Sequence, residues 1–211
     1  MKNTESAIAS YADGKGQLSG DTREHYLVGL GLGTANYWFT FISDPLTVGF
    51  LLFWEAFILA SNPVISVVSY AGGLLAWSFL EYSFHRWVYH KGHTPAHDGH
   101  NIHHQSSETL IAMPWFVVTG LFGLVWYVFT YLLQFRFISS FAAGLLSGFV
   151  LYGAFHHIHH HFDFKSRRYR RLRAHHLIHH RFEDVNFGVT SRFWDHVFGT
   201  TYNKETKANV R

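Results

Sequence analysis

The sequence predicts an all-α integral membrane protein: two transmembrane helical hairpins (four main helices) capped by a cytosolic, histidine-rich helical domain. Three observations carry that expectation. Long apolar segments alternate with polar ones in a 211-residue chain that is 18% aromatic and only 15% charged. Sixteen of the eighteen histidines lie between His85 and His180, thirteen of them in four knots beside the ends of apolar segments. The basic residues crowd into Arg167, Arg168, Arg170, Arg171 and Arg173, with Arg181 just beyond.

Residues 1–25 read as a polar, loosely ordered tail with Gly14, Gly16 and Gly20, and without the apolar core of a cleavable signal. Residues 26–200 read as one domain and 201–211 as a second tail. Tyr26 to Ile42 is apolar but rich in glycine, and Asp44-Pro45 is expected to close it. At about 17 residues it sits at the lower limit for a span, so an interfacial or tightly packed helix is expected there, with a spanning helix as the alternative. Leu46 to Ala60 and Val64 to Phe84, joined by Ser61-Asn62-Pro63, form the first expected hairpin, about 46–84. Ile111 to Leu133 and Phe137 to Phe155 form the second, about 111–155. Ala142, Ala143, Gly144, Ser147 and Gly148 suit close helix packing in its second arm. Both hairpins return to one side, so the histidine cap, 85–110 and 156–200, gathers on one face. The arginines share that face, and the positive-inside rule makes it cytosolic.

The histidine spacing points to metal. With no cysteine in the chain, thiolate zinc sites and iron–sulfur clusters are excluded, and imidazole is the main candidate ligand. Residues at i, i+3 and i+4 share a helix face. His100, His103 and His104 have that spacing, as do His176, His179 and His180. His156 and His160 are i, i+4, and so are His157 and His161. His85 and His90 are i, i+5, about 140° apart on an ideal helix. They can act together only where the helix ends or distorts; otherwise each serves a different metal.

A lone histidine at an interface is ordinarily a polar cap, so His25, His93, His97 and His196 are expected to be structural. Glu81, one turn before His85, can orient an imidazole or pair with Arg86. Asp98 and Asp195 have similar claims. The arginine run reads as a stripe against anionic headgroups, with no nucleic-acid partner expected.

These residues resemble the fatty acid hydroxylase / sterol desaturase superfamily of membrane oxygenases, whose histidine boxes are arranged around two transmembrane hairpins. The end of the chain, His176-Leu177-Ile178-His179-His180 followed by Asn186 to Thr200, is similar to that of the fatty acid 2-hydroxylases acting on sphingolipid acyl chains. Carried over by position, the resemblance implies a dimetal ligand set of His85, His90, His100, His103, His104, His156, His160, His176, His179 and His180. In the third box, Tyr152 placed four residues ahead of the first ligand selects His156 and His160, which we take. Counting back from His176 selects His157 and His161 instead.

The resemblance further implies an O2-dependent hydroxylation of a lipid acyl chain, near its carboxyl end, by two iron ions. Zinc can occupy such a site but has no redox chemistry. No cytochrome b5 module precedes the helices in this sequence, so electrons are expected from a separate donor, whether cytochrome b5-like, a ferredoxin or a reductase. The spacing from His90 to His100 is shorter than in the eukaryotic members. A desaturase or a sterol or hopanoid oxidase is the alternative on the same scaffold. A histidine-rich metal transporter is the alternative from another class, and it would need ligands inside the spans, where Glu55 is the lone mid-span carboxylate expected.

Overall fold

The computed structural model describes residues 22–203, with side chains from Leu27 onward. The tail expected over residues 1–25 lies almost wholly outside that range, as does the His25 side chain. Eight helices follow in order: α1 (Thr22–Gly31), α2 (Thr34–Phe53), α3 (Pro63–Ser83), α4 (Pro95–Gln105), α5 (Trp115–Tyr127), α6 (Ile138–His161), α7 (Arg167–Arg181) and α8 (Phe193–Val197). Three of them run on into π-helical turns: α2 through Trp54–Ile58, α3 through Phe84–Tyr89 and α5 through Val128–Leu132.

Among the described residues four helices are long and apolar enough to cross a membrane: Thr34–Ile58, Pro63–Tyr89, Trp115–Leu132 and Ile138–His161. Their outer faces expose large apolar side chains such as Leu46, Val64, Val67 and Leu124. A belt of that kind needs hydrocarbon around it. The first of these helices corrects an expectation. Asp44-Pro45 closes nothing, and α2 begins twelve residues earlier than Leu46 and runs straight through Pro45. Proline removes one helical hydrogen bond and crowds the preceding turn. Here Leu51, packed on Ala142 and Ala143 with Val48 alongside, holds the helix on course. The chain breaks instead at Gly33, whose extended backbone caps α2. Asp44 therefore joins Glu55 as a carboxyl inside a candidate span, where Glu55 alone was expected; both are buried.

The α3–α6 contact sets the site. A Cβ on Gly73 would run into the Phe141 carbonyl, one on Gly144 into the Tyr70 carbonyl, and one on Gly148 into the Trp77 ring. Only glycine permits this approach, which is how small residues serve helix pairs in lipid. Gly73 opposes Gly144 and Trp77 opposes Gly148, so the two helices run the same way. Both therefore end at histidine knots. Helix α2 runs against α6, with Phe41 beside Gly153 and the Tyr37 hydroxyl 2.8 Å from His157 Nδ1. Asn36 fastens the start of α5 to α2, its Oδ1 accepting from the Trp115 amide at 3.0 Å. The histidine-bearing α4 starts cleanly, with Pro95 in its first turn and Thr94 capping the His97 amide at 3.2 Å.

Candidate metal centre

All ten histidines named above come together, in two groups of five. One holds His85, His90, His100, His104 and His179; the other holds His103, His156, His160, His176 and His180. Within each group the potential ligand atoms lie within 4.8 Å of one another. The i, i+3, i+4 triplets do not serve one ion each. Helix α4 gives His100 and His104 to the first group and His103 to the second. Helix α7 gives His176 and His180 to the second and His179 to the first. The two helices thus exchange one ligand, and the His104 and His180 rings stack at 4.3 Å between the groups.

His85 and His90 fall in the same group because the helix distorts where they sit. Phe84–Tyr89 is π-helical, and i→i+5 bonding brings residues five apart toward one face. In the third box the geometry brings in His156 and His160. His157 meets Tyr37 instead, and His161 points to solvent.

The nitrogens approach as ligands do. His90 Nε2 lies 2.9 Å from both His100 Nε2 and His179 Nε2. In the second group His160 Nε2 lies 2.8 Å from His176 Nε2 and 3.1 Å from His103 Nε2. His179 Nδ1 donates to the Val185 carbonyl at 2.8 Å, and His85 Nδ1 donates to the Phe187 carbonyl. A carbonyl only accepts, so both rings keep their proton on Nδ1 and turn a bare Nε2 lone pair inward. Burial, reinforced by neighbouring imidazoles, holds His100, His103, His176 and His179 well below the usual histidine range. Burial likewise pushes His90 down to about 4, and His104 and His180 to about 3. Neutral, converging imidazoles fit a pair of divalent transition-metal ions, and such lone pairs have no favourable partner in one another.

The chain after α7 folds back and supplies the orienting acceptors. Among the described residues Glu81 hydrogen-bonds neither an imidazole nor Arg86, so neither of the two alternatives expected for it holds. It is buried and accepts from the Val189 and Thr190 amides, each at 2.8 Å, and from the Thr190 hydroxyl. Arg86 donates to the Tyr82 hydroxyl at 2.8 Å and lies over the Phe187 ring. Asp195 holds the same loop, accepting from the Phe187 and Gly188 amides and from His175 Nε2, each at 2.8 Å. Burial alone would raise its pKa, but His175, Thr200 and the Gly188 amide hold the carboxylate below its usual range. So Asp195 orients His175, which belongs to neither group. Glu183, three residues after the last box, lies 3.5 Å from His104 Nδ1 and 3.8 Å from His90 Nδ1. Sequence reading missed it, although its place directly after the box was a usable signal. Among the histidines expected to be structural, His97 spends both nitrogens on Tyr89 and Asn101, and His196 meets Thr201.

Beside the two groups lies an apolar cavity of about 350 Å³, whose lining includes His100, His103 and His156. It extends along α2 and α6 and reaches Val28 on α1 and Val117 on α5.

Four apolar helices with two five-histidine groups gathered at one end of them make this a membrane-type helical protein with a candidate dinuclear metal centre. The fatty acid hydroxylase family model matches residues 70–200, more than half of the chain, and the chain belongs to that family. It is 33% identical over 140 residues to dihydroceramide fatty acyl 2-hydroxylase FAH2 of Arabidopsis thaliana, covering 62% of this chain and 59% of that protein. It is 29% identical over 164 residues to ceramide very long chain fatty acid hydroxylase scs7 of Schizosaccharomyces pombe, covering 70% and 47%. The fatty acid 2-hydroxylase of Mus musculus is 30% identical over 156 residues, covering 66% and 41%. The chain thus spans about half the length of the curated relatives it matches. The solved structure of full-length scs7p, with only the hydroxylase domain visible, matches with a TM-score of 0.65 at 23% identity over 79% of this chain and 67% of that one, a likeness of fold.

Proposed function

We propose that the chain hydroxylates a lipid acyl chain next to its carboxyl end, with O2 as co-substrate and two irons as the resident metals. One observation carries this reading: rings from both histidine groups line an apolar cavity of about 350 Å³. When bound, a pair of irons would supply the reduction of O2 that attack on an unactivated C–H bond requires, with electrons from a separate donor. Zinc, which the same imidazoles would bind, lacks that chemistry.

The protein's own part is positioning. The rings are held neutral and aimed, the first group from behind by the 183–187 segment. Val88, Ile111, Phe149 and Val150 line the cavity with apolar surface that excludes water and grips methylenes. The relatives' names supply the substrate class, a ceramide or fatty acyl chain. We read the spans as two hairpins, 34–89 and 115–161, with the histidine end on the cytosolic side beside the arginines. The ten grouped histidines serve as ligands in this reading, and no separate general base is assigned.

The test is lipid mass spectrometry of cells expressing the chain, compared with cells expressing His104→Ala or His180→Ala. The expected result is a lipid heavier by one oxygen atom, made by the unaltered chain alone, and two metals per purified chain. Equal product from the variants would end the proposal.

A further inference from the structure

One polar wall of the cavity has no part in holding metal. Tyr37, Thr40 and Asp44 on α2 all line it, at i, i+3 and i+7, so they form a single stripe down the helix. Tyr37 is engaged with His157, and the Thr40 hydroxyl donates to the Tyr37 carbonyl at 2.7 Å. Asp44 is different. It is only 2% exposed, and among the described residues its carboxyl meets one donor, the Ser43 hydroxyl at a long 3.3 Å. Pro45 follows, with no amide hydrogen to return to the Phe41 carbonyl one turn back, and Phe41 also lines the cavity.

Acceptor capacity is therefore concentrated at one point of that wall. A carboxyl at membrane depth is costly unless something meets it, which makes it a marker of function. Glu55 is buried further along the same run of helix, with neither carboxylate oxygen hydrogen-bonded among the described residues, but it does not line the cavity. Asp44 faces whatever fills the cavity.

The geometry points to Asp44 as a specificity residue that accepts a hydrogen bond from a hydroxyl group carried partway along the substrate's hydrocarbon chain. This rests on the lipid-hydroxylase reading above and names its substrate class more closely: a long-chain lipid already bearing a hydroxyl. Tyr37 marks the level of His156 and His157. Asp44 lies seven residues further along α2, about 10 Å down the axis at 1.5 Å per residue. An extended chain advances about 1.2 Å per bond, which puts the hydroxyl roughly eight carbons beyond the reacting one. The reaction that supplies this substrate must then be a mid-chain hydroxylation or the hydration of a double bond.

The test uses the full chain in nanodiscs and a competition between two probes: a saturated long-chain acyl lipid, and the same lipid with one hydroxyl about eight carbons from the carboxyl-adjacent position. Retained lipid is read by mass spectrometry, independently of turnover. The unaltered chain is expected to favour the hydroxylated probe about tenfold or more, the scale of one desolvated hydrogen bond. Asp44→Leu should abolish the preference, Asp44→Asn should weaken it, and Glu55→Gln should leave it intact. No preference in the unaltered chain, or one that survives Asp44→Leu, overturns the inference, as does an equal loss of both probes in both Asp44 variants. Preference without any oxidised product would instead strike the hydroxylase reading and leave Asp44 as a recognition group. Oxidation indifferent to Asp44 would do the reverse.

Discussion

The two histidine groups have the same number of rings but differ in what stands behind them. In the first, His85 and His179 donate to the Phe187 and Val185 carbonyls, and the Glu183 carboxylate lies near His90 and His104. In the second, the Nδ1 atoms of His103, His176 and His180 are buried and have no hydrogen-bond partner among the described residues. Two rings of the first group, His85 and His179, are therefore oriented by hydrogen bonds from one returning segment, whereas both nitrogens of His104 lack a hydrogen-bond partner among the described residues. The second is oriented by packing, with His156 stacked on Tyr152 and His180 on His104. Partners behind a ligating imidazole fix its tautomer and raise its basicity. The first group should thus bind metal more tightly and depend more on the tail.

That contrast can be broken in several ways. The largest effect should come from removing a ligand. His100→Ala and His176→Ala are each expected to abolish product, and metal analysis should fall from two ions toward one in either case. Next is Glu81→Ala, which leaves the buried Val189 and Thr190 amides without their acceptor. A loss of roughly 3 kcal/mol is expected, read as a lower melting temperature in detergent. A metal titration should also show affinity at the first group down about 10- to 100-fold, with the second group little changed. Equal weakening of both groups would refute the asymmetry. Glu183→Ala should act more gently, lowering the first group's affinity by about tenfold at the low end of the same range, without a change in melting temperature.

The smallest effect is a shared one. His90, His104 and His180 have folded-state values near 4 and 3, below the ordinary 6.5. A depressed histidine favours the fold above pH 6.5, and that advantage is lost as pH falls toward the folded value. The metal-free chain should therefore melt progressively earlier between pH 6.5 and about 3. The loaded chain should resist until its ions leave. His90 and His104 sit in one group and His180 in the other, so neither group should show an acid transition of its own.

Much of this was legible in the residues. The spacing of His100, His103 and His104, and its repeat at His176, His179 and His180, marks ligands because helical periodicity is local. Four apolar stretches announced the spans for the same reason. The division of each triplet between two groups was not legible, because it depends on how α4 and α7 face each other. Pro45 looked like a terminator, and the packing of Leu51 on Ala142 and Ala143 overrode it. The acceptors behind His85 and His179 are backbone carbonyls, which no side-chain pattern reveals. Glu81 was noticed, but its partners are amides 108 and 109 residues away. Asp44 was read as a breaker's neighbour and became a wall residue only once α2 ran on.

Helix α4 contributes to both groups from a single turn. If it slid or rotated against α7, His103 and His104 would leave their opposite stations at the same moment. Neither half of the centre can be dismantled alone by such a motion. A motion of that kind would therefore release both ions together, coupled by the backbone of one short helix.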